Sequence, residues 1–403
     1  VDARWLVIKG DAGFFGVTKR IHNGLYGGPG DGGALGPDER RHYEAVQRKN
    51  AEGLLDVLTS DAIVLLHDPQ TAGMAPALRS AGRLVLWRCH VGLDEPNKWS
   101  ERAWAFLRPY LADVDGYVFS RAAFAPPWAD PAKTFVVPPS IDPFSAKNEP
   151  VSDRNVRLAL GYGGLVEGAG DPPVVPFTRR DGSRGRITRR ADVMQLGPAT
   201  PADAPLVLQA SRWDGMKDMA GVMEGFASHV DPALGAHLVL AGPAVTGVAD
   251  DPEATEVYDD CIDRWRRLPH EARSRVHLAC TPMADPDEAA AIVNALQRHA
   301  AVVAQKSLAE GFGLTVAEAM WKSRPVVASA VGGIVDQIEH GEQGLLLDDP
   351  HDLEAFGAAV EELLCHPAEA ARLGRNARER AARELLGDTH LALYASVLRR
   401  LLA

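Results

Sequence analysis

Short, unbroken apolar runs rich in Val, Leu and Ile recur along this chain, and stretches of helical period separate them. The first part predicts strands at 4–10 (RWLVIKG), 62–68 (AIVLLHD), 83–91 (RLVLWRCHV), 116–120 (GYVFS) and 134–139 (TFVVPP). The second part predicts them at 205–211, 236–242, 275–281, 301–307, 325–330 and 344–349. The clearest helical pattern is NKWSERAWAFLRPYLADV, from 97 to 114. A strand apolar on both sides of its pleat is buried on both faces, as in a parallel sheet covered by helices. Strands alternating with helices give doubly wound α/β domains, and 403 residues are enough for two of them.

The boundaries follow the pattern. Residues 1–150 form one Rossmann-like domain and 205–385 another. Between them, 151–204 keeps neither period for long and carries six arginines from Arg179 to Arg190. That run reads as an anion-binding or partner-docking arm, or as a solvated, poorly packed insertion or hairpin beside an interdomain hinge. Residues 386–403 continue a charged, Ala-rich helical stretch that can return to the first domain.

Composition excludes several classes. A formal net charge of −11 argues against binding to a phosphate backbone, which needs clustered positive charge. No apolar run approaches the roughly 20 residues of a membrane span. The opening VDARWLVIKGD has neither the basic start nor the long apolar core of a secretion signal. Cys89, Cys261, Cys280 and Cys365 fit neither a disulfide framework nor a metal site. They are expected to be reduced and buried, which points to a cytoplasmic protein. No pattern fixes an oligomeric state, and a homodimer is compatible with the sequence.

Ligands of open α/β sheets gather beyond the carboxyl ends of the strands, and four strand ends carry unusual residues. In SLAEGFGLTVAEAM, Gly311 and Gly313 sit in a turn that opens straight into a helix. Free N–H groups at that helix start favour a phosphate. Glu310 and Glu318 flank the turn, as carboxylates suited to sugar and ribose hydroxyls. Thr315-Val-Ala-Glu318 equally matches a capping box. In QASRWDGMKDM, Arg212 and Lys217 can clamp a diphosphate and stabilise it as it leaves; two solvated surface cations fit the same letters. In LLHDPQTAG, His67 and Asp68 end a strand and Gln70 starts a helix after Pro69. LWRCHVGLD puts Arg88, His90 and Asp94 at or just past a strand end. Strand-end histidines are often satisfied core groups, but two neighbouring ends so equipped suit recognition of a polyol.

EGFGLTVAE resembles the Glu-x7-Glu motif of retaining GT-B glycosyltransferases of family GT4, and SRWDGMKD resembles that family's phosphate clamp. RWLVIKGDAGFFGVTKRIHNGLYG, HDPQTAG, LWRCHVGLDEPN, VPPSIDPFSAKN and the stretch from QKS to LLLDD are similar to its trehalose-forming glycosyltransferring synthases. The resemblance implies two domains facing across a cleft, with the final helix packed back on the first. It implies transfer of glucose from a nucleoside diphosphate glucose to free glucose, by same-face attack with the diphosphate as leaving group. Arg212 and Lys217 then hold the diphosphate, and Glu310 holds the donor glucose with the amides of Gly311, Phe312, Gly313, Leu314 and Thr315 nearby. Glu318 binds the ribose, and Gly242 lies by the base or diphosphate. His90 meets the donor sugar at its 6-hydroxyl and offers its carbonyl near the anomeric carbon. His67, Asp68, Gln70, Arg88 and Asp94 shape the acceptor side.

No tightly bound cofactor or metal is implied, magnesium being at most stimulatory. Trehalose phosphorylases resemble the same stretches, and a transferase with another acceptor or an inactive nucleotide-sugar-binding module also fits. The family begins with a strand and glycine-rich loop ahead of the segment resembling RWLVIKG, which is the expectation that motivates the last reading.

Overall fold

The structure, a computed structural model, describes residues 3–168, 175–245 and 252–402. The chain forms two compact units, dividing between Pro139 and Ser140.

Unit 1 comprises residues up to Pro139 and those from His390 onward. Its sheet runs β1 (Ile63–His67), β2 (Leu84–Cys89), β3 (Gly116–Phe119) and β4 (Thr134–Val136), all parallel and in sequence order. Helices Ala12–Leu25, Pro37–Leu55 and Lys98–Leu111 supply Phe14, Tyr43 and Phe106, which pack with Trp87 and Phe119 of the sheet. Asn97 starts the last of these helices, accepting from the amides of Trp99 and Ser100 at 2.9 and 3.1 Å. On the other side of the sheet Val397 of the final helix joins Leu86, Val118 and Val137, so residues from His390 onward complete this unit's core.

One expected strand does not form. Residues 4–10 make no ladder, and Trp5 and Val7 are 79% and 81% exposed. Asn50 holds the segment instead, bonding both the amide and the carbonyl of Lys9 at 2.8 Å. An apolar run has strand propensity, but only a partner's backbone makes it a strand.

Unit 2 spans Ser140–Thr389. Its sheet has the order β13-β12-β11-β8-β9-β10-β7. The parallel strands are β8 (Leu206–Ala210), β9 (His237–Pro243), β10 (Val276–Thr281), β11 (Val302–Gln305), β12 (Val326–Ser329) and β13 (Leu345–Leu347). Side chains alternate between two cores as the pleat requires: Leu208 and Val239 face one with Ile292, Val316 and Met320, while Val207, Leu238 and Leu240 face the other with Met223, Phe226 and Phe356.

Residues 151–204 are more ordered than their composition predicts. They hold the helix Asp153–Gly163, a hairpin of β5 (Pro176–Thr178) and β6 (Arg184–Arg186), and β7 (Asp192–Met194), which pairs antiparallel with β10. Within the Gly/Pro-rich part, 169–174 lies outside the described residues. The arginine run is divided between two roles. Arg179 pairs with Asp285 at 2.7 Å and Arg189 with the buried Glu288, whereas Arg180, Arg184, Arg186 and Arg190 are exposed. Cys89, Cys261 and Cys280 are free and buried, but Cys365 is exposed, against expectation, because it ends a helix on its outer face. Among the described residues no helix is long and apolar enough to cross a membrane.

Candidate active site

Unit 2 builds its site from three strand ends. After β8, Asp214 starts a short turn by accepting from the Met216 amide at 2.9 Å, and Asp218 follows in the left-handed region at φ 47°. Arg212 and Lys217 ride on this turn. Arg212 is exposed, with one bond to Asp214 at 3.1 Å, so most of its guanidinium donors remain for a ligand. Lys217 is largely buried and its Nζ lies 2.7 Å from Oε2 of Glu310, beyond β11.

Buried polar groups connect these ends. Gln209 Nε2 donates to the Lys217 carbonyl at 2.7 Å, and its Oε1 accepts from the Lys306 amide at 2.9 Å. Gln305 Nε2 donates to Ser307 Oγ at 2.9 Å, and Ser307 donates to Glu310 Oε2 at 3.3 Å. Lys306, fully buried, is ion-paired with Asp218. Sequence reading missed Gln209, Gln305 and Ser307. Their signal is a polar residue near the same end of two apolar parallel strands, where each must be satisfied internally.

The glycine turn is braced from behind. Gly313 precedes the helix Leu314–Trp321 at φ 90°, as its N-terminal boundary residue. A Cβ on Gly332 would lie 1.7 Å from the Glu310 carbonyl oxygen, and Gly332 has φ 52°. The neighbouring Gly333 donates to the Gly311 carbonyl at 3.2 Å, and Gln337 bonds the Phe312 carbonyl. Phe312 is buried and Leu314 exposed.

The alternative capping box is absent: Thr315 Oγ1 contacts the Ala210 carbonyl at 3.4 Å. Glu318 is instead buried beside Lys147, with Oε2 3.0 Å from Nζ. Gly242 has a packing reason of its own, because a Cβ there would meet the Trp213 ring at 2.4 Å.

Unit 1 gathers a second polar group. Asp68 follows β1 at φ 60°, rare for a residue other than glycine. Its Oδ1 accepts from the His90 amide and its Oδ2 meets His90 Nδ1, each at 2.8 Å. Arg88 Nε donates to His90 Nε2 at 2.7 Å, so the imidazole proton is on Nδ1. Burial raises the Asp68 carboxyl, and the bonds from His90 outweigh it, leaving the acid below its usual range. Arg88 is buried against Tyr394 and the Val137 carbonyl.

The His67 and His90 rings stack 5.4 Å apart, and burial first, then His90, lowers His67 to about 4. Gln70 uses its carbonyl to hold Gln47 at 2.7 Å. Asp94 is paired with Arg121 and takes no part in the bonds that join Asp68, Arg88 and His90. No hydrogen bond from the described residues reaches the His90 carbonyl. Among the described residues no group of His, Cys, Asp and Glu could hold a metal ion.

Residues 1–126 match the family model "Trehalose synthase, N-terminal domain", and 198–380 match "Glycosyl transferases group 1". The chain is similar to the trehalose synthase of Pyrococcus horikoshii, with 32% identity over 100% of this chain and 83% of that protein. Similar solved structures include a UDP-forming α,α-trehalose-phosphate synthase from Burkholderia vietnamiensis (TM-score 0.68, 15% identity, 96% of this chain and 85% of that one). Anabaena HepE, solved with UDP and glucose, is another (TM-score 0.64, 16% identity, 91% and 84% coverage). In sequence over its full length and in the fold of its units, the chain belongs to the trehalose synthase family of GT4-type, GT-B glycosyltransferases.

Proposed function

We propose that the protein transfers glucose from a nucleoside diphosphate glucose to free glucose, forming α,α-trehalose with retention of configuration. The observation that carries this reading is the Lys217–Glu310 pair at a glycine turn opening a helix. It sets a cation and helix amides where a diphosphate can bind, next to a carboxylate that can hold sugar hydroxyls. The bond from the anomeric carbon to the diphosphate oxygen breaks, and its electron pair leaves with the phosphate. Arg212 and Lys217 stabilise that charge. The acceptor's anomeric hydroxyl attacks from the same face and gives its proton to the departing phosphate oxygen.

On the acceptor side Arg88 and Asp68 are positioning residues committed to His90, while His67 and Gln70 have side chains left to contact sugar. The unbonded His90 carbonyl supports a role beside the developing positive charge at the anomeric carbon. Three buried free thiols fit the reducing cytoplasm, which is part of the proposal. The test is NMR analysis of products made from glucose with ADP-, UDP- and GDP-glucose. An α,α-1,1-linked disaccharide is expected, and the best donor identifies the base. A β linkage, or a requirement for inorganic phosphate without nucleotide, overturns the reading.

A further inference from the structure

The loop 142–149 is held from several directions. Asn148, buried, donates from Nδ2 to the Asp142 carbonyl at 3.0 Å and accepts at Oδ1 from Lys322 Nζ at 2.9 Å. Its carbonyl takes bonds from Arg298 and Trp321, each at 3.2 Å. Asn294, fully buried, binds the carbonyls of Ala146 and Glu149 at 3.0 Å. This bracing fixes the residue between them, Lys147, whose Nζ lies 3.0 Å from Glu318 Oε2.

The Glu318 side chain is only 7% exposed, and Oε2 makes no hydrogen bond, so Lys147 supplies its compensation by charge. Lys322, the other nearby amine, donates to the Glu318 backbone carbonyl at 3.2 Å and not to its carboxylate. Burial holds Lys322 down at about 7, with Glu318 pulling the other way. Lys147 itself is 37% exposed, and a half-exposed ion pair adds little to stability. The loop stands on Asn148, so the lysine is free for another task.

We propose that Lys147 is a positioning residue of the donor site. It holds Oε2 of Glu318 and commits Oε1 to the ribose hydroxyls of a nucleoside diphosphate. The assignment rests on reading unit 2 as the nucleotide-sugar site.

The test is calorimetric binding of UDP, ADP and GDP, each against its 2′,3′-dideoxy counterpart, to wild type, Lys147→Met and Lys147→Arg. Wild type is expected to prefer the ribonucleotide. In Lys147→Met the ribonucleotide weakens about tenfold while the dideoxy form is unchanged, so the preference is lost. Lys147→Arg restores most of it. A preference intact in Lys147→Met, or equal weakening of both forms, overturns the assignment alone. A wild type that binds none of the three nucleotides overturns the donor reading and the assignment with it.

Discussion

The two polar groups are built on opposite principles. In unit 1, Asp68, Arg88 and His90 fix one another through side-chain bonds. In unit 2, the turn carrying Glu310 is fixed by backbone packed on backbone, with Gly332 and Gly333 pressed against residues 310–312. The first arrangement has room for a changed atom but depends on each bond. The second is held by close backbone contact as well as by side chains such as Gln337, and it has no space for an added side chain.

The comparison can be broken at several points. Lys217→Ala and Glu310→Ala are each expected to lower turnover by about 10²–10³-fold with the fold intact, measured by steady-state kinetics beside calorimetry. Each also lowers the melting temperature, because it leaves its partner's charge buried and unpaired. A near-normal rate in either variant would remove that residue from the chemistry and with it the paired assignment. Gly332→Ala is expected to displace the turn and lower turnover about a hundredfold, with a clear loss of stability, because its Cβ would sit 1.7 Å from a carbonyl oxygen.

Buried histidines sharpen the contrast through pH. In unit 2, burial holds His277 at about 4, beside His237 at 2.9 Å. Unfolded, the same ring protonates near pH 6.5, so the unfolded chain binds more protons between those values. The contribution of this ring to stability is therefore full above pH 6.5 and is lost as pH drops toward 4. Urea titrations should show His277→Gln sparing on the order of 2 kcal/mol of that loss at pH 4.5. A parallel pH profile in the variant would place the acid sensitivity elsewhere.

Asp68→Asn keeps the shape of the side chain but weakens the hold on His90, and about a tenfold loss of turnover is expected with the fold intact. Were Asp68→Asn as damaging as Gly332→Ala, the two sites would not differ as described. Smallest of all, Arg184→Gln and Arg186→Gln should change stability by less than about 0.5 kcal/mol in denaturant titration, since both are exposed.

The legible parts were those whose signal is local. Strands such as Leu206–Ala210 and Val276–Thr281 carry apolar residues on both faces, and that pattern marks a buried parallel strand even with Gln209 and His277 in it. The turn Glu310–Gly313 and the run Arg212–Lys217 announce themselves by spacing. The hidden parts are partnerships at long range. Nothing in RWLVIKG reveals whether a neighbouring backbone will pair with it. Lys147 meets Glu318, and Gly332 meets Glu310, across separations that no local period encodes. The strands β5 to β7 are three residues each, and β6 is Arg-Gly-Arg, so none is long enough to show a strand period.

The antiparallel strand β7 has a consequence for the molecule's behaviour in a crowded cell. It covers Leu278, Ala279 and Cys280 of β10, and without it the unpaired amides and carbonyls of a fully apolar row would lie open. Such a margin is a template on which other chains can assemble into aggregates. The segment that reads as a solvated insertion thus acts as a selvedge, finishing the woven sheet with an edge only three residues long.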